Sequence, residues 1–225
     1  MIFHRWADKL GSSVEVCPVQ LPGRGNRIRE TPFRQMDLLV ESLAEGLFPY
    51  LDRPFAFFGH SLGAIVSFEL ALKLQRERGK LPIHLFVSGR RAPSIPRQHP
   101  ITYNRPDDEF VEELKRLNGT PKEILEHSEL MQLMLPVLKA DFEISETYKD
   151  SGEPLRGCPI TAFGGKQDQE VPPHFLEAWQ KHTTGPFKHR MLPGDHFFLH
   201  ASEQLLLAAL NQQLCSMTDR LEASY

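Results

Sequence analysis

Cysteine is scarce in this chain. Cys17, Cys158 and Cys215 are widely spaced, odd in number and without a C-x-x-C pattern, so neither a disulfide framework nor a zinc knuckle is expected to organise the fold. No apolar run approaches the roughly 18 residues of a membrane helix, and no basic, apolar, small-residue leader opens the chain. The expectation is a soluble, cytoplasmic protein that meets no membrane. An excess of one charge is also missing. Lys and Arg number 26 against 29 Asp and Glu, a net charge of −3, and basic residues gather only in "GRGNRIR" and "SGRRAPSIPR". Nucleic acid is therefore not an expected partner. Internal repeats and low-complexity tracts are absent, and 225 residues suit one domain, 1–225, with a sizeable core.

What is present alternates. "VEVCPVQL" (Val14 to Leu21) reads as a strand ending at the turn "PGRG", and Met36 to Leu51 carries Leu39, Val40, Leu43, Leu47 and Phe48 at helical spacing. "RPFAFFG" reads as a buried strand, "LGAIVSFELALKLQRERG" as a helix stopped by Gly79, and "IHLFVSG" as another strand. Strand alternating with helix predicts a mostly parallel sheet covered by helices, an α/β fold. From about 92 to 157 the rhythm breaks into a Pro-rich loop and helices. One helix is predicted in "DDEFVEELKRLNG". A longer one runs from Ser128 to Lys149, with Met131, Met134, Leu135, Leu138 and Phe142 on one face. The alternation then resumes with "CPITAFGG" (strand), "PHFLEAWQKH" (helix), "FKHRML" (strand) and "SEQLLLAALNQQL" (helix). The helical stretch reads as an insertion placed where open α/β sheets bind ligands.

Within "FFGHSLGAIVSF", Gly-x-Ser-x-Gly alone is weak, because short patterns of common residues recur by chance. Its setting strengthens it: Ser61 stands where a strand turns sharply into a helix, with Gly59 and Gly63 expected to be small because the two elements cross closely. "FGGKQDQEV" places Asp168 just past a strand, and "LPGDHFFLH" places His196 past the next. A serine hydroxyl needs an imidazole to take its proton, and the imidazole needs a carboxylate to hold its tautomer. The chain order Ser61, Asp168, His196, each past its own strand, points to a catalytic triad.

The neighbours read more plainly. His60 is expected to shape the elbow. His196 and His200 stand four apart like paired zinc ligands, but Phe197 takes the place of the glutamate that such a helix needs, so no metal is expected. Asp195 is adjacent to the base and expected to point away from it, and Glu170 is the better spare acid. Arg24 of "PGRG" reads as a solvated turn residue before a phosphate contact. The Met and Leu face of the insertion reads equally as core packing or as an acyl-binding surface.

"LPGRG", "GHSLGA", "HLFVSG", "FGGKQD" and "GDHFFL", in this order and spread over nearly the whole chain, resemble the type II thioesterases. These are α/β-hydrolases that serve polyketide and nonribosomal peptide synthetases, with relatives in fatty acid synthesis. The resemblance implies a serine hydrolase that needs no cofactor. It would act on acyl thioesters borne by the phosphopantetheine arm of an acyl or peptidyl carrier protein, removing stalled or mis-primed acyl groups as a monomer. It implies Ser61 as nucleophile, His196 as general base, Asp168 as its orienting acid and the Leu62 N–H as an oxyanion donor. The inserted helices would form the lid. The same triad would serve a carboxylesterase or lipase-like enzyme, or persist in a non-catalytic binding member of the fold.

One departure is expected. "MIFHRWADKL" sets Phe3, Trp6 and Leu10 at helical spacing from the start, whereas the resembled family places a strand and a glycine-containing oxyanion loop before such a helix. That first central strand, which would lie between the Val14 to Leu21 strand and the elbow strand, and its loop read as absent from this chain.

Overall fold

Two of the short apolar runs become strands buried on both faces, flanked by a half-buried strand and a largely exposed one. In the computed structural model, which describes residues 2–116 and 127–222, β1 (Ala56–His60), β2 (His84–Ser88), β3 (Ile160–Gly165) and β4 (Phe187–Leu192) form one sheet in that order, parallel throughout. Successive side chains serve opposite faces, as a pleated strand requires. Leu85, Val87, Ile160 and Ala162 pack on one side with Trp179, while Phe58, Phe86 and Phe163 pack on the other with Leu206 and Leu210.

Parallel strands need crossovers, and helices supply them. α1 (Met36–Leu47) packs on α2 (Leu62–Arg78) through Val40, Leu70 and Leu74. Gly79 ends α2 in the left-handed conformation at φ 60°, as the sequence predicts. Between β2 and β3 lie α3 (Asp107–Arg116) and α4 (Ser128–Thr147), the latter running through Pro136. The predicted end of α4 at Lys149 is two residues late, and the "LNG" predicted to close α3 lies outside the described residues. α5 (Pro173–Glu177) continues as a 3-10 turn and joins β3 to β4, and α6 (Phe198–Ala201) and α7 (Glu203–Glu222) follow.

Val14 to Leu21 is not a strand. The segment pairs with no strand among the described residues, and Pro18, with no N–H to donate, sits exposed in its middle. Exposure alternates from Val14 to Cys17 as in a half-buried strand and then stops, with Cys17, Pro18 and Val19 all exposed, and alternation without a neighbouring strand makes no ladder. Among the described residues β1 is accordingly paired on one side only, by β2. Near this edge Phe3 and Trp6 pack edge-on against Phe58, with ring centroids 5.9 and 4.9 Å away, from a segment that is a 3-10 turn at Ile2–Arg5.

Candidate active site

The register sets His60 opposite Ser88 and Ser88 opposite Phe163, so the ends of β1, β2 and β3 share one edge. Ser61, directly after β1, has φ 52° and ψ −116° and is the one non-glycine residue at positive φ among the described residues. A serine in that region is strained, and strain of this kind at a strand-to-helix turn lifts the side chain above the sheet. Two contacts hold the turn. The Ser61 N–H donates to the Ser88 carbonyl at 2.8 Å, and Gly59 lets the Gly63 carbonyl approach so closely that a Cβ would collide with it. Gly63 itself carries no such constraint, because a Cβ there meets nothing within 4 Å. The expectation that both glycines must be small holds for Gly59 alone. Leu62 opens α2, so its N–H belongs to the first turn, where helix donors lack intrahelical partners.

The loops after β3 and β4 are tied together. Gln167 donates its N–H to the Gly194 carbonyl at 2.9 Å and accepts the Gly194 N–H at its side chain at 2.5 Å. The tie brings His196 to Asp168, with Nδ1 2.8 Å from Oδ2. The Asp168 side chain is 1% exposed, and its other oxygen accepts the Glu170 N–H at 2.9 Å. A buried carboxylate on Nδ1 fixes the imidazole with Nε2 free to accept a proton.

His60 joins this pair to the elbow. Its ring centroid is 5.2 Å from that of His196, and its Nδ1 is 3.0 Å from the Ser88 hydroxyl. Burial, and then the neighbouring His196, lower its pKa to about 3, so the ring is neutral at physiological pH. The structure thus closes the Asp168–His196 half of the triad directly. His60, next to Ser61 in the chain, brings the elbow into ring contact with His196, and no hydrogen bond joins Ser61 to His196 among the described residues. Such bonds are often loose without substrate.

The rival acids are engaged elsewhere. Glu170 binds Arg116 of α3 at 2.8 Å and His99 at 3.0 Å, and Asp195 accepts the Phe197 N–H at 2.9 Å. Arg24 is not a solvated turn residue. It holds Asp141 of α4 through two hydrogen bonds. On α4, Met131 and Leu135 are buried against Phe110 and Leu114 of α3, with Leu138 and Phe142 beside them, so much of that face is helix packing. Met134 is half-buried and outside this cluster. Ser88, whose hydroxyl meets His60 Nδ1 and whose carbonyl accepts the Ser61 N–H, was not signalled in the sequence beyond closing an apolar run.

Residues 1–214 match the family model described as "Thioesterase domain". The chain belongs to the thioesterase family. It is similar to a solved structure described as the type II thioesterase BorB from the borrelidin biosynthetic cluster, 35% identical, with a TM-score of 0.85 over 94% of this chain and 86% of that one. It is likewise similar to RedJ, a thioesterase from the prodiginine pathway of Streptomyces coelicolor, at 40% identity and TM-score 0.87, covering 94% and 84% of the two chains. The fold is accordingly that of the α/β-hydrolase thioesterases. It is 48% identical to a Brevibacillus parabrevis protein named linear gramicidin dehydrogenase LgrE, over 96% of this chain and 83% of that protein. "Dehydrogenase" in that name finds no dinucleotide fingerprint here. The nearest pattern to G-x-G-x-x-G, Gly23-Arg-Gly-Asn-Arg-Ile28, lacks the third glycine and follows no strand among the described residues.

Proposed function

We propose that this protein hydrolyses acyl thioesters from the phosphopantetheine arm of acyl or peptidyl carrier proteins, clearing stalled or mis-primed acyl groups from a modular synthetase. The observation that carries the reading is the 2.8 Å Asp168–His196 pair beside the strained Ser61 elbow, in a chain of the thioesterase family. In this reading the chain acts as a monomer in the cytoplasm, as one domain over 1–225, with 92–157 as its helical lid.

Ser61 Oγ attacks the thioester carbonyl while His196 Nε2 takes its proton, and Asp168 stabilises the imidazolium that forms. The Leu62 N–H, at the positive end of α2, faces the charge that develops on the carbonyl oxygen. The C–S bond then breaks. The leaving thiol, with a pKa of about 8.5 like that of cysteine, needs less help from an acid than an amine does. Once His196 has passed its proton to the departing sulfur, it takes a proton from the water that attacks the acyl-serine, then returns that proton to Ser61 Oγ as the free acid leaves.

The experiment is incubation with a panel of acylated carrier proteins, read by intact mass. Loss of the acyl mass from the carrier supports the reading. Cleavage of a p-nitrophenyl ester with no action on a thioester of equal chain length would make the chain a carboxylesterase. Failure of a fluorophosphonate to label Ser61 would make it a non-catalytic member of the fold.

A further inference from the structure

Arg90 follows the end of β2 by two residues; the residue is half-buried, and its Nε is fully enclosed. Its guanidinium donates to the Ser145 hydroxyl at 2.7 Å and to the Ser145 carbonyl at 3.2 Å, near the C-terminal end of α4. Its Nε has no partner, and no carboxylate pairs with it among the described residues. A buried cation without a counter-charge is costly, so such charges are ordinarily paired. Burial pulls this guanidinium down to about 9, and Arg91 pulls it the same way.

The surface that Arg90 retains borders a cavity of about 90 Å³, which Arg91 and Arg97 also line. Arg91 spends its Nε on the Ile95 carbonyl. One terminal nitrogen of Arg97 lies 3.4 Å from Glu146 and makes no hydrogen bond. Glu146 is already occupied, accepting the Thr102 N–H at 2.9 Å, the Thr102 hydroxyl at 2.7 Å and the Tyr103 N–H at 3.1 Å. The Tyr148 hydroxyl donates a hydrogen bond to Glu69 at 2.6 Å. Three guanidiniums therefore face one carboxylate whose oxygens are largely taken.

The cavity and the elbow share two elements, α2 and the end of β2. Ile65 on its wall stands four residues, about one helical turn, beyond Ser61, and the Ser61 N–H is bonded to Ser88, two residues before Arg90. We propose that the cavity is an oxyanion subsite of the same active centre and takes a carboxylate carried by the acyl group of the thioester. Arginine suits a carboxylate because its planar fork offers paired donors. The phosphate of the pantetheine arm has similar chemistry, but it sits many bonds from the thioester, whereas the cavity shares α2 and the end of β2 with the elbow. The inference rests on the thioesterase reading.

The test uses the full chain with succinyl and butyryl thioesters, which have the same chain length and differ in a terminal carboxylate. Each is presented on N-acetylcysteamine, which has no phosphate, and on a carrier protein. In Arg91→Gln and Arg97→Gln the succinyl-to-butyryl ratio of kcat/KM should fall at least about tenfold on both thiols, the worth of one charge-assisted hydrogen bond. An unchanged ratio overturns the proposal. If, instead, the carrier-to-N-acetylcysteamine ratio for butyryl falls, the anion is the arm's phosphate. Succinate binding gives a readout that needs no turnover. Succinate should raise the Tm of the unaltered chain and not that of the Arg91→Gln, Arg97→Gln double variant. A shift without thioester cleavage would sink the thioesterase reading and leave the subsite standing. Cleavage without a shift would sink the subsite alone.

Discussion

Arg24 holds Asp141 with both terminal nitrogens, at 3.0 and 2.8 Å, across 117 positions of sequence. The pair ties the "PGRG" turn to α4. Burial raises the Asp141 carboxyl above its ordinary 3.8 even though the Arg24 hydrogen bonds pull it down. Arg24→Ala should therefore destabilise the fold by about 1–3 kcal/mol, since it leaves a largely buried carboxylate without its partner. An acid raised in the folded state costs stability as pH rises past its unfolded value, so the loss should grow above about pH 4. Denaturant titrations of Arg24→Ala, Asp141→Ala and the double variant check this. Losses of the two single variants that simply add in the double variant would show that the tie carries no coupling.

The two glycines of the elbow should respond oppositely. Gly59→Ala places a Cβ on the Gly63 carbonyl, backbone that cannot step aside, and should cost more than about 3 kcal/mol or prevent folding. Gly63→Ala meets open space inside α2 and should be neutral or stabilise by up to about 1 kcal/mol. Thermal melts of the two variants decide it, and equal damage from both would contradict the elbow geometry.

The strands of the sheet, the elbow and the Asp168–His196 pair were legible because each depends on neighbours in sequence. An apolar run, a glycine and a loop residue just past a strand sufficed. Val14 to Leu21 misled for the complementary reason: it has the pattern of a strand, but strands are made by partners, and no strand among the described residues lies beside it. The Arg24–Asp141 tie and the Arg90, Arg91 and Arg97 cavity were not legible either. Each joins a loop to a helix that lies far along the chain, and an arginine in a loop carries no local sign of what will bury it. The Met and Leu face of α4 was ambiguous from the start, and much of it proves to be spent on α3.

His60 should make the protein acid-sensitive. Its pKa falls from 6.5 to about 3 on folding, so the unfolded chain binds the proton first. Stability from this residue is full above about pH 6.5 and is lost as pH falls from there toward 3. His84, lowered to about 4 by burial, acts in the same direction. Stability measured between pH 7 and 4 should decline with a shallower slope in His60→Asn. A slope that is unchanged would mean that His60 titrates normally in the fold.

Of the five residues predicted on the apolar face of α4, Met134 alone lies outside the cluster with α3. Met134→Trp should shift preference toward shorter acyl groups, whereas Leu138→Trp, in contact with the α3 cluster, should lower Tm as an overpacked core position does, by about 1–3 kcal/mol in stability. Chain-length profiles on matched thioesters check the first and melts the second. An unchanged profile in Met134→Trp would assign that residue to packing as well.

The most direct measurement is the rate of deacylation of an acyl carrier protein, followed by intact mass, with the unaltered chain, Ser61→Ala, His196→Ala and the double variant. Nucleophile and base working as one unit predict that each single change lowers the rate by about 10⁴- to 10⁶-fold, and that the double variant is no slower than either. Rapid deacylation by Ser61→Ala, or losses that multiply in the double variant, would contradict the account.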